Sequence, residues 1–98
     1  MLTSKQRAYL RGLANKENAI FQIGKGGIND EILKELDIVL EKRELIKLTV
    51  LETSFMSARG ACEEVCEQIG AEPVQCIGNK FVIYRRARAK DNRKIELP

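Results

Sequence analysis

Ile20-Phe21-Gln22-Ile23-Gly24-Lys25-Gly26-Gly27-Ile28-Asn29-Asp30 joins a short apolar strand to a glycine-rich turn and then to a helix start. Glycine at three of four positions lets the backbone take positive φ and approach a ligand with no Cβ in the way. Asn29 suits a helix N-cap, and the acidic residues that follow suit the positive end of a helix dipole. Lys25 would then sit beside unpaired helix N–H groups, an arrangement able to hold one phosphate. Taken alone, glycines between a strand and a helix are most often just a tight connection. The spacing fits neither the phosphate loop of nucleotide hydrolases nor a dinucleotide-binding G-x-G-x-x-G.

On the N-terminal side, Thr3-Ser4-Lys5-Gln6 matches a capping box that opens a helix from about Ser4 to Lys16. Tyr9, Leu10, Leu13 and Ala14 share one face of that helix; Arg7 and Arg11 make the other side basic. The strand is expected over Ala19–Ile23. After the turn, Ile32, Leu33, Leu36, Val39 and Leu40 predict a helix over Asp30–Lys42, and Leu45–Leu51 is a strand with Ile46, Leu48 and Val50 on one face. A third helix is expected over Ser57–Ile69, closed by Gly70, with Glu63, Glu64 and Glu67 outside. Val74–Ile77, a Gly78-Asn79 turn and Lys80–Arg85 predict a hairpin.

The order α-β-α-β-α-β-β contains two strand–helix–strand units, which imply parallel neighbours, and the hairpin adds an antiparallel strand. The expected fold is α/β, a two-layer sandwich with a four-stranded mixed sheet. At 98 residues, 44% apolar and 32% charged, the chain suits one domain. Residues 87–94 are the stretch expected to be disordered. Ile95 and Leu97 are candidates for tying the end back onto the domain.

Composition excludes more chemistry than it suggests. No histidine is present, which removes the commonest general base and metal ligand. Cys62 and Cys66 fall on the apolar stripe of the third helix and Cys76 alternates inward on a strand, so three buried, inert thiols are expected and no metal site. Thiols without an export signal point to the cytoplasm, and no apolar run is long enough to span a bilayer. Phe21, Phe55, Phe81, Tyr9 and Tyr84 are too few for a stacking platform and are expected in or near the core. The net charge of +3 conceals an asymmetry: residues 85–94 carry +5 and the remainder −2, which suggests an anionic partner.

Several separate blocks resemble the CRM domain (chloroplast RNA splicing and ribosome maturation), and in particular its free-standing bacterial members of the YhbY type. They are Leu2–Arg7, Leu10–Ala14, Ile23–Ile28, Glu44–Leu48, Val74–Gly78, Val82–Arg85 and Lys94–Pro98. The resemblance implies an RNA-binding α/β fold similar to the C-terminal domain of translation initiation factor three, with residues 1–86 as the domain and 87–98 as a basic, partly docked tail. It implies association with rRNA in precursors of the large ribosomal subunit, with ribosomal proteins as further partners. The family's GxxG loop, likened to that of KH domains, maps onto Gly24, Lys25, Gly26 and Gly27.

These readings combine into an expectation: a cytoplasmic, monomeric, non-enzymatic RNA-binding protein of ribosome assembly, with no cofactor and no membrane. The glycine turn would clamp the RNA backbone, and Lys5, Arg7, Arg11, Arg85 and Arg86 would widen the positive footprint on one continuous surface. The alternative is a protein–protein adaptor on the ribosome, in which the turn is only a turn. An enzyme or redox protein built on the cysteines ranks last.

Overall fold

A computed structural model describes residues 2–98. Among these, α1 (Ser4–Ala14), β1 (Phe21–Ile23), α2 (Asp30–Arg43), β2 (Leu45–Val50), α3 (Ala58–Ile69), β3 (Glu72–Ile77) and β4 (Lys80–Tyr84) follow one another in the expected order. Short 3-10 turns lie at Glu52–Ser54 and Lys90–Asn92. The sheet order is β1-β2-β4-β3, with β1 parallel to β2 and the other pairs antiparallel. The sheet is mixed and four-stranded as expected, but only the first strand–helix–strand unit makes parallel neighbours, because β4 inserts between β2 and β3.

Local chemistry sets the boundaries. Thr3 Oγ1 accepts from the Gln6 amide and Gln6 Oε1 accepts from the Thr3 amide, closing the capping box. Asn29 Oδ1 accepts from Ile32 N, and Ser57 Oγ from Gly60 N, to open α2 and α3. Gly70 ends α3 at φ 68°. The helix α1 stops at Ala14, two residues short of expectation. Strand β1 is three residues long instead of five, and β3 starts two residues early at Glu72. Pro73 is tolerated there because β3 is an edge strand with a register shift between Pro73 and Gln75.

Alternation along β2 and β4 divides the interior. Ile46, Leu48, Val50, Phe81 and Ile83 face Leu36 and Leu40 of α2 and Ala61, Cys62 and Val65 of α3; together they form the two-layer sandwich. Leu45, Val74, Val82 and Tyr84 face the other way, onto Leu10 and Ala14 of α1, with Ile95 and Leu97 of the C-terminal segment packed beside them. Helix α1 thus covers part of the second face, and Lys47 and Thr49 are half-buried there.

The stretch 87–94, expected to be disordered, is held by two glutamates at the end of α2. Glu41 accepts from the Arg88 and Ala89 amides and from Asn92 Nδ2. Glu44 accepts from the amides of Ala87 (2.8 Å), Lys94 (2.6 Å) and Ile95 (2.9 Å). Gln6 Nε2 donates to the Pro98 carbonyl, so the strap crosses from the end of α2 to the start of α1.

Two further expectations need correction. Cys62 and Cys66 are buried, but Cys76 is exposed, on the edge strand β3. Burial, with Cys62 beside it, still pushes the Cys76 thiol up to about 11. Phe81 and Tyr84 are buried and Phe21 half-buried, whereas Tyr9 is 43% exposed and Phe55 is 96% exposed.

Candidate nucleic-acid interface

The glycine turn sits where the parallel edge strand ends. Ile23 pairs with Val50, and the chain then turns through Gly24-Lys25-Gly26-Gly27, closed by Gly27 N donating to Gly24 O at 2.8 Å. Only Gly27 takes positive φ, at 62°. A Cβ on Gly24 would lie 3.4 Å from Leu51 Cδ1 and 3.5 Å from Thr53 Oγ1, and one on Gly26 would lie 3.5 Å from Asn29 Nδ2. One glycine is therefore needed for conformation, while the other two keep the turn slim beside its neighbours.

Lys25 occupies the exposed tip and has no ion-pair or hydrogen-bond partner among the described residues. The amides of Lys25 and Gly26 likewise find no acceptor among these residues. Two N–H groups without an acceptor and an exposed ammonium thus lie on neighbouring residues of one turn, donor types that suit a phosphate. The dipole of α2 adds less than expected, because Asp30 and Glu31 fill its first turn and already complement its positive end.

The residues expected to widen the positive footprint are held elsewhere in the fold. Arg85, offered as an RNA contact, is only 7% exposed. Its Nη2 donates to Asp37 O at 2.9 Å, and its Nη1 donates to Glu41 Oε1 and Arg86 O. Arg85 Nε lies 3.3 Å from Asp37 Oδ1, as an ion pair without hydrogen-bond alignment. Its charge is therefore spent inside the fold. Arg88 pairs with Asp37 as well, at 3.0 Å, so part of the basic run is a clasp. Hydrogen bonds from Asn92 and from the amides of Ala89 and Arg88 hold the Glu41 carboxyl down at about 2. Burial pushes the Glu44 carboxyl up, but the amides of Ala87, Lys94 and Ile95 outweigh it and its pKa is lowered.

Lys5, Arg11 and Arg86 are exposed, and Arg7 is half-buried with Nε donating to Pro73 O at 3.3 Å. Pro73 and Tyr84 sit at the sheet end marked by Leu45, the first residue of β2; the glycine turn sits beyond Val50, its last. Six strand residues separate these ends by about 16 Å at roughly 3.3 Å per residue. The single continuous surface anticipated from sequence is thus two separated ones. At the far end, a cleft of about 980 Å³ opens between α1 and the strap, lined by Gln6, Tyr9, Arg86, Lys90 and Lys94 among others.

Sequence reasoning missed two residues that shape these surfaces. Glu44 is fully buried at φ 65°, and its signal was a charged residue set directly against the start of an apolar strand. Phe55 is an apolar residue off any helical or strand stripe in the polar link Glu52–Ser57. Among the described residues, no helix is long and apolar enough to cross a membrane, and no group of three or more acidic or cysteine side chains is placed to hold a metal ion.

The chain is 42% identical to a Bacillus subtilis protein named "Probable RNA-binding protein YqeI", over the whole length of both. It is 31% identical over 97 residues to a Haemophilus influenzae protein named "RNA-binding protein", covering 99% of this chain and 95% of the other. The solution structure of a hypothetical Staphylococcus aureus protein superposes over the full length of both chains at a TM-score of 0.75, with 45% identity. Residues 2–85 match the CRS1/YhbY (CRM) domain, and the chain belongs to that family.

Proposed function

We propose that this chain is a non-enzymatic RNA-binding protein that acts in assembly of the large ribosomal subunit, gripping the RNA backbone at Gly24–Gly27. The observation that carries the reading is the uncompensated donor set at the tip: the Lys25 ammonium with the Lys25 and Gly26 amides. The relatives named as RNA-binding proteins support RNA as the partner. The ribosomal step follows the resemblance of the sequence blocks, with precursor rRNA and neighbouring ribosomal proteins as partners. Lys5, Arg7, Arg11 and Arg86 make an outer, sequence-independent contact reached by a longer stretch of the same RNA. Arg85 holds the strap and takes no part. Free thiols suit a reducing, cytoplasmic site of action.

The test is a filter-binding titration of single-stranded rRNA fragments against the wild type and Lys25→Glu at several salt concentrations. Lys25→Glu removes one phosphate contact, so the log–log salt slope becomes shallower by about 0.7 and affinity falls, at unchanged melting temperature. Equal affinity and slope would reject the role of the turn. Failure of the wild type to bind naked RNA, with co-sedimentation on large-subunit precursors, would favour the adaptor reading.

A further inference from the structure

We propose that Phe55 is a stacking platform for one unpaired RNA base, next to the phosphate held at the glycine turn; this rests on the reading that the turn binds RNA. Phe55 is 96% exposed, in a chain whose buried Phe81 shows that the fold can enclose a phenyl ring. Its backbone lies at φ 57°, ψ 21°, a left-handed conformation that a bulky L-residue adopts only when its surroundings hold it there.

The hold is visible. Phe55 N donates to Glu52 O at 3.0 Å, Ser54 Oγ donates to Leu51 O at 2.8 Å, and Met56 N donates to Ser54 Oγ at 3.1 Å. Met56 occupies the inward position against the core, which leaves Phe55 the outward one. The ring is thus presented to solvent from a tightly turned backbone, with little ordering left to lose on binding.

Its place gives the ring a ligand. Leu51 N donates to Ile23 O at 2.8 Å, so the link carrying Phe55 continues from the strand end that carries the glycine turn. Thr53 Oγ1, two residues before Phe55, lies 3.5 Å from where a Gly24 Cβ would stand. A phosphate at Lys25 and a base on the adjoining link would belong to neighbouring parts of one RNA strand. Stacking is tolerant of base identity because every base offers a π-face, and it requires the base to be unpaired.

The experiment uses the full chain and two single-stranded RNA oligomers of equal length, one of mixed bases and one abasic. Phe55→Ala should weaken binding to the mixed-base oligomer by about tenfold, within the range stacking supplies, and leave the abasic oligomer unaffected. Phe55→Tyr should bind like the wild type. The chain lacks tryptophan, so Phe55→Trp adds one indole, whose emission should be quenched by the mixed-base oligomer alone. Lys25→Glu should weaken both oligomers. Unchanged binding by Phe55→Ala while Lys25→Glu still weakens overturns the platform and leaves the RNA reading standing. No binding by the wild type overturns both. Loss of a ribosomal-protein contact in Phe55→Ala, with RNA affinity unchanged, also overturns the platform.

Discussion

Replacing Glu44 tests the clasp that makes the C-terminal strap part of the fold. The residue combines two opposing effects. Its carboxylate accepts three amide hydrogen bonds of 2.6–2.9 Å while fully buried. Each bond to a charged acceptor contributes about 1.5–3 kcal/mol, so their gross sum is roughly 4–9 kcal/mol. Against this stands the left-handed backbone at φ 65°, which costs about 1–2 kcal/mol for a residue with a Cβ and nothing for glycine. The sum is also capped, because the strap can peel away and let water satisfy the freed amides. Glu44→Gly should therefore destabilise by about 2–4 kcal/mol, and Glu44→Ala by about 1 kcal/mol more, since alanine keeps the backbone penalty. In urea unfolding followed by circular dichroism, the Glu44→Gly midpoint should fall by more than about 1 M. Amide exchange should quicken first at Ala87, Lys94 and Ile95. A higher midpoint for Glu44→Gly would mean that backbone strain dominates at this position and that the carboxylate clasp contributes no net stability.

Gly27→Ala meets no atom within 4 Å but must keep φ at 62°, so it should cost about 1 kcal/mol and lower the melting temperature by about 4–8 °C. Gly24→Ala and Gly26→Ala face only ordinary contacts and should melt like the wild type; an equal loss at Gly24 would contradict the conformational account. Acid should loosen the strap. The Glu41 pKa is depressed from 4.5 to about 2 on folding, so its stabilising contribution is complete above pH 4.5 and disappears as pH falls through 2. Glu44 is shifted in the same direction. Thermal unfolding between pH 5 and pH 2 should show falling stability, and a rise across that window would refute the sign.

The fold was legible because local signals agreed with one another. Thr3 and Gln6, Asn29, Ser57 and Gly70 mark helix ends through their own hydrogen bonds or dihedrals, and alternation in Leu45–Val50 fixed which residues face the helices. Of the candidate site, only the conformation of the turn was legible. Lys25 and Gly27 behave as their residue types suggest, but the distribution of cations did not follow from charge counting. Six basic residues in 85–94 looked like one anion-binding tail, yet Arg85 and Arg88 are committed to Asp37 and Glu41, partners 44 to 51 residues away in sequence. Long-range pairing of that kind leaves no trace in composition. Phe55 escaped for the opposite reason: an aromatic residue is ordinarily assigned to a core, and only the hydrogen bonds of Ser54 with the inward position of Met56 turn it outward.

The central claim is that RNA is gripped at the glycine-turn end of the sheet. Amide chemical-shift mapping during titration with a short single-stranded RNA measures this directly. The account predicts that Lys25, Gly26, Gly27 and the Thr53–Phe55 link move first and saturate together. Shifts confined to Arg86–Lys94, with the glycine turn unmoved at saturation, would contradict it.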